Sequence, residues 1–166
     1  MLMSGSAPPP ASRRQGFYRY VNPVIRFLVR LGIGVGGSDA DLLRTLQVDG
    51  RVSGRTYEVP VRVAVIDGER YVMTMQGDTA WARNLRASGK ARLLYRGRAE
   101  HVLAREIVGD EKTRFLTTLF HDPVFARRAR AVLQSRSGEA PEELDENGIR
   151  LLGETWHPFQ LSTSGA

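Results

Sequence analysis

Within the stretch GRVSGRTYEVP, residues 50–60, Arg51, Ser53, Gly54 and Arg55 bring two guanidinium groups, a hydroxyl and a glycine turn into five consecutive positions. Amide hydrogens exposed in a glycine-containing turn can coordinate phosphate oxygens, and arginine adds a charge-assisted, bidentate clamp. The stretch therefore has the donors of an anion seat. Spacing alone leaves a second reading open, that of an ordinary polar hairpin with solvated arginines.

A second group lies in QGDTAWARNLR, residues 76–86. If the chain turns at Gly77 into a helix, the first amide hydrogens, near Asp78 to Ala80, have no intrahelical partner and attract an anion. The Asp78 carboxylate opposes this, because it competes as a cap and repels phosphate. Asn84, one turn further and beside the face of Trp81 and Leu85, can donate and accept hydrogen bonds, or it is a surface amide.

Other chemistries are missing. The sequence has no cysteine, which removes thiol catalysis, disulfides and thiolate metal sites together. It contains no GxxxxGK[ST] loop, GxGxxG fingerprint, HExxH helix or GxSxG elbow. His101, His121 and His157 are too widely separated to suggest a local metal cluster. No metal is expected, and no side chain stands out as catalytic.

Stepping outward, the elements that position these groups follow from periodicity. Asp41 to Val48 alternates loosely as a strand, and Tyr57, Val59, Val61, Val63 and Val65 set five odd positions on one side of the next. Asp67-Gly68 is a hairpin turn into a partner strand from Arg70 to Gln76. A short helix follows, capped by Asp78 or Thr79, with Trp81 and Leu85 facing the core and Gly89 ending it. Strands are expected at Ala91 to Tyr95 and Arg98 to Ile107, joined at Arg96-Gly97.

Asp110 to Gln134 has helical spacing interrupted at His121-Asp122-Pro123, an excursion expected to cover part of a barrel mouth. Ser137 to Gly148 reads as an acidic loop or one helical turn, and Glu154 to Leu161 as a closing strand. The pattern predicts a mainly β fold, a small closed barrel of about six antiparallel strands with helical covers.

Residues 1–16 read as a disordered leader rich in Pro, Ser and Gly, and residues 17–166 as a single barrel domain. An amphipathic helix is expected over residues 22–31, with Val24, Phe27, Leu28 and Leu31 on one face and Arg26 and Arg30 on the other. It packs on its own domain or makes peripheral contact with an anionic membrane. Arginines interrupt this stretch, so it is not a bilayer span, and the expected location is cytoplasmic, with possible membrane association through this helix.

The formal charge of +6 comes from 22 arginines and 2 lysines against 18 acidic residues. They are scattered rather than clustered, which argues against nucleic acid and leaves an anionic small ligand or a membrane surface.

The order GRVSG, then Pro60 in the following strand, DGERYVM, WARNLRASGKARL and finally HPFQL resembles the deazaflavin-dependent nitroreductase family of split β-barrel oxidoreductases, many of them actinobacterial. The resemblance spans about Tyr20 to Ile107 and resumes at His157. It implies a split β-barrel of about six antiparallel strands like that of FMN-binding proteins, and binding of the deazaflavin coenzyme F-420, an 8-hydroxy-5-deazaflavin with a phosphate and glutamates in its tail. By this resemblance Arg51, Ser53, Gly54 and Pro60 belong to the coenzyme-binding hairpin and strand. Met75, Gln76 and Gly77 border the ring or phosphate, and Trp81 and Asn84 lie on the helix motif.

Many relatives carry a basic residue where this chain has Val52 and another near Gly77. Arg55 and Arg83 are neighbours able to reach a phosphate instead; otherwise FMN, FAD or haem would be the alternatives. The implied activity is hydride transfer from the reduced coenzyme to a small-molecule electron acceptor of quinone, enone or nitro type, by a monomer or homodimer. The rival is a non-catalytic coenzyme-binding or membrane-surface protein.

Overall fold

The computed structural model describes residues 41–138 and 140–164. The leader and the helix expected over residues 22–31 lie outside them. Six strands form a closed antiparallel barrel in the order β1-β2-β3-β6-β5-β4. They are β1 (Asp41–Asp49), β2 (Thr56–Ile66), β3 (Glu69–Thr74), β4 (Lys90–Tyr95), β5 (Arg98–Glu106) and β6 (His157–Thr163). Four helices are interleaved: α1 (Ala80–Ser88), α2 (Gly109–Phe120), α3 (Pro123–Ser137) and α4 (Glu146–Thr155). Among the described residues no helix is long and apolar enough to cross a membrane.

Two hairpins close on turns in which both central residues have positive φ. These are Asp67 and Gly68 at 51° and 80°, and Arg96 and Gly97 at 47° and 74°. Such turns match the right-handed twist of the flanking strands, so the two short connections fix the register of β2 with β3 and of β4 with β5.

The alternation along β2 serves the barrel only in its middle. Val61 and Val63 join Leu46, Val72, Phe159 and Leu161 in the interior, while Tyr57 and Val65 at the strand ends are exposed. The reason is stagger: β2 pairs with β1 along Thr56 to Ala64, but with β3 only from Ala64 to Ile66. Pro60, opposite Thr45, therefore lies where β2 has β1 as its strand partner and no β3 residue across from it. Proline is tolerated in a strand under that condition.

Helices α2, α3 and α4 do not cover a mouth of the barrel, as the sequence had suggested. Ile66 and Met73 alternate with interior residues and point outward, and they pack with Leu116, Leu119, Leu133, Leu152 and Trp156 in a second apolar cluster. The helical excursion thus covers the outer surface of β2 and β3.

The fourth helix replaces the loop expected to Gly148 and the first residues of the strand expected from Glu154. Asp145 caps it, its side chain accepting from the Gly148 amide at 2.7 Å, and β6 begins only at His157. Two glycines inside α4 weaken the helical signal in the sequence. Packing accounts for one of them: a Cβ at Gly148 would approach Leu144 Cδ1 to 2.9 Å.

Candidate functional site

The bend between β1 and β2 is closed by two backbone hydrogen bonds, Gly50 N–H to Arg55 O and Gly54 N–H to Gly50 O, both 2.8 Å. Gly54 has φ of 65°, so glycine is favoured there for its conformation, and its amide is consumed by the turn rather than offered to a ligand. Arg55 N–H donates to Ser53 Oγ at 3.3 Å, and Ser53 Oγ lies 3.1 Å from the Tyr57 hydroxyl. Among the described residues the amides of Val52 and Ser53 have no acceptor. The bend therefore presents two open N–H groups beside Arg51 and Arg55.

Gly50 is demanded by close approach. A Cβ there would lie 2.6 Å from the Tyr57 ring and 2.8 Å from Ser53 Oγ. Tyr57, one of the five odd positions placed on one side of β2, thus lies against the bend and is half-exposed.

Helix α1 begins at the same place. Thr79, rather than Asp78, is its cap, accepting from the Ala82 amide at 3.4 Å. The approach is fixed from behind by Gly77, with φ of 82°, whose N–H donates to Thr155 O at 2.9 Å and whose carbonyl accepts from Thr74 Oγ1 at 3.0 Å. Trp81 packs inward towards Phe159, with ring centroids 6.1 Å apart, and Leu85 is fully buried.

Bend and helix are tied together by Asn84. Its Oδ1 accepts from the Arg51 amide at 3.3 Å and from Arg51 Nη1 at 2.9 Å, across 33 residues of sequence. Asn84 is only 6% exposed, yet among the described residues its Nδ2 group has no acceptor. The Nδ2 end is solvent-accessible rather than buried, so it is a donor open to a ligand as well as to water. Between bend and helix lies an open cleft of about 420 Å³, lined by Arg51, Val52, Ser53 and Tyr57 on one side and Ala80, Trp81 and Asn84 on the other.

Of the residues expected at the site, Arg51, Ser53, Trp81 and Asn84 meet in this cleft. Gly54 and Arg55 form the exposed tip beside it. Arg83 is on the exposed side of α1, with its charge acting weakly on Asp78, and Val52 is 89% exposed. Pro60 lies further along β2, and Gln76 is exposed with its amide on Thr74 Oγ1. Met75 turns away from the cleft and packs with the outer cluster formed by α2, α3 and α4.

That cluster contains a second, narrow cavity, a slot of about 30 Å³ between the outer face of β2 and β3 and helices α2 and α3. Met73, Met75, Leu119 and Phe125 give it apolar walls; Tyr71, its ring tilted against Phe115 at 4.8 Å between centroids, and Arg62 and Arg128 are its polar members. Strand β2 connects the two cavities, since Tyr57 lines the cleft and Arg62 the slot. Five residues of strand separate them by about 17 Å. No sequence signal pointed to this slot, because its walls come from segments brought together only by packing.

Among the described residues there is no cluster of potential metal ligands. The densest charge network joins Arg86 on α1, Glu106 at the end of β5, His157 at the start of β6 and Asp78. Arg86 Nε and Nη2 both donate to Glu106, the latter at 2.8 Å, and Arg86 Nη1 donates to Asp78 at 3.0 Å. His157 Nδ1 lies 3.2 Å from Glu106 Oε1.

The Arg86 hydrogen bonds hold the Asp78 and Glu106 carboxyls below their ordinary values of 3.8 and 4.5, against a smaller opposing effect of burial. Groups whose folded values are depressed stabilise the fold fully above the unfolded values and lose that contribution as pH falls through the folded ones. The unfolding midpoint should therefore hold from neutral pH to about pH 5 and fall below it. Thermal melts across that range should show a shallower acid slope for Glu106→Gln; an unaltered slope would remove Glu106 from the account.

Comparison with known proteins gives a family match and a set of similar folds. The family model described as F420H(2)-dependent quinone reductase matches residues 21–136. No curated protein matches in sequence. Similar solved structures include the conserved hypothetical protein Rv2991 from Mycobacterium tuberculosis, 17% identical, covering 74% of this chain and 73% of that one at a TM-score of 0.43. The F420-H2 dependent reductase FDR-A is 16% identical over 72% of this chain and 93% of that one, TM-score 0.44. PhzG from Burkholderia lata, solved with tetrahydrophenazine-1-carboxylic acid, is 16% identical over 93% and 78%, TM-score 0.43.

Proposed function

Because the chain belongs to the F420H(2)-dependent quinone reductase family, we propose that its bound reduced deazaflavin supplies a hydride to a quinone, enone or nitro-type acceptor. The chain is an oxidoreductase, and its coenzyme is F420. The observation that carries the site assignment is the open cleft between the β1–β2 bend and α1, tied together by Asn84 Oδ1 on Arg51 and walled in part by Asn84 itself.

The residues present suit an acidic, phosphate-bearing tail. Arg51 and Arg55 supply charge, the Val52 and Ser53 amides supply directed donors, and the first turn of α1 adds the positive end of its dipole. Arg51 is pre-oriented by Asn84 Oδ1, so less side-chain freedom is lost when it contacts an anion. Trp81 and Tyr57 wall the cleft with aromatic surface. Pro60 and the Arg62 region of β2 lead from the cleft towards the slot, which is a route for the ring end of the coenzyme.

The slot would have to widen to take an acceptor, since about 30 Å³ holds only one or two water molecules. Its apolar walls would then favour a flat ring, and Arg128 at its edge is suited to an acceptor oxygen that gains negative charge during reduction. Arg55 is the neighbour that would compensate for Val52 in holding phosphate; Arg83 is placed to do so from the helix.

The reading is tested by following oxidation of the reduced coenzyme with quinones, enones and nitroaromatics. Arg128→Ala should raise the acceptor KM about five- to tenfold, the loss of one contact worth about 1 to 1.5 kcal/mol, while coenzyme affinity stays unchanged. Bound coenzyme that no acceptor oxidises would leave a carrier instead of an enzyme, and an unchanged KM would detach the slot from the acceptor.

A further inference from the structure

Asp78 presents a contradiction: a carboxylate stands immediately before the cap of the helix whose N-terminus faces the cleft for an anionic coenzyme. An unrestrained aspartate there would turn to the free amides of the first helical turn and occupy the positions an anion needs. The structure prevents this by means of a residue two turns further along the same helix. Arg86 reaches back to hold Asp78 Oδ1 with Nη1.

Arg86 is itself anchored. Its Nε and Nη2 take both oxygens of Glu106 on β5, so the guanidinium plane is set by the barrel wall, and the Nη1 hydrogen bond to Asp78 follows from that orientation. His157 stands on the far side of Glu106. Lys112 of α2, bound to Gly153 O at 2.6 Å, is close enough for its charge to act on both Glu106 and Arg86. With Asp78 held aside, the capping position falls to the neutral hydroxyl of Thr79. The amides of Ala80 and Trp81 are left without an acceptor among the described residues.

We propose that Arg86 is a positioning residue for coenzyme binding: by fixing the Asp78 carboxylate away from the α1 N-terminus, it keeps that terminus open to the acidic tail of the coenzyme. This inference rests on the reading of the cleft as the coenzyme site. Arg86 touches neither the cleft wall nor the coenzyme, and it acts through the carboxylate it restrains. The arrangement also explains how a helix that begins with an aspartate can serve an anion. Arg83, one turn from Asp78, adds a weaker attraction of the same sign.

The test is a double-substitution cycle on the full chain, with affinity for oxidised F420 read from the coenzyme's own fluorescence. Arg86→Gln should weaken binding about fivefold, the effect of one misplaced charge near a helix terminus. Asp78→Asn added to Arg86→Gln should restore affinity to within about twofold of the parent, because the released group no longer carries charge. A brace that served only to stabilise the helix would not be rescued in this way.

Binding by Arg86→Gln equal to the parent, or a double variant as weak as the single one, overturns the proposal. If Arg86→Gln does not fold, Asp78→Asn in the otherwise intact chain gives the decision. Its affinity must equal or exceed that of the parent, and a fivefold loss would make Asp78 a contributor to binding and end the argument. Failure of the parent chain to bind the coenzyme at all would overturn the cleft assignment, a separate result visible before any variant is made.

Discussion

Replacing Arg51 and Arg55 together with alanine is expected to weaken binding of the deazaflavin coenzyme about a hundredfold, on the basis of two charge-assisted contacts of about 1.5 kcal/mol each. Arg51 carries the larger share. Its backbone amide and Nη1 both bind Asn84 Oδ1, so the guanidinium is oriented before a ligand arrives, whereas Arg55 sits exposed at the tip. Removing the Arg51 side chain also leaves the buried Asn84 with one fewer donor, loosening the attachment of bend to helix. Fluorescence titration measures the affinity, and thermal melting provides the control. The lost Arg51–Asn84 hydrogen bond should lower the melting point by only about 2 to 4 °C, leaving the variant folded at the titration temperature. Parent-like affinity in the double variant would exclude the bend as the anion seat.

Phe159→Ala should cost about 3 to 5 kcal/mol of folding stability, the usual range for deleting a fully buried phenylalanine. Phe159 is 0% exposed and lies at the centre of the barrel interior, on the strand that joins β3 to β5. Its ring also lies against Trp81, so the cavity would open beneath the helix that forms one wall of the cleft. Denaturant unfolding measures the loss. Coenzyme binding should weaken as well at temperatures where the variant remains folded, since Trp81 would lose its support. A loss below about 1 kcal/mol would mean that the interior collapses around the deletion.

Much of the barrel is legible in the sequence because its signals are local. Alternating apolar residues, the positive-φ turns at Asp67-Gly68 and Arg96-Gly97, and the cap and glycine stop around α1 each act within a few positions. The helix α4 was obscured by its own glycines, one of which sits close against Leu144 and Asp145. The exposed ends of β2 were also hidden. A period-two pattern reports that a strand has two faces, but the length over which a neighbour covers it depends on stagger between strands.

For the site, the sequence by itself determined the donors: arginines, serine and glycines at a bend, and an asparagine and tryptophan on a short helix. Tertiary structure alone decided which of them meet. Arg51 reaches Asn84 across 33 residues, Met75 turns from the cleft to the outer slot, and Asp78 is drawn aside by an arginine anchored on Glu106. The physical reason is one of range. Turn and cap preferences are settled by backbone geometry within a few residues, whereas these encounters exist only once the closed strand register places the bend, α1 and the end of β5 side by side.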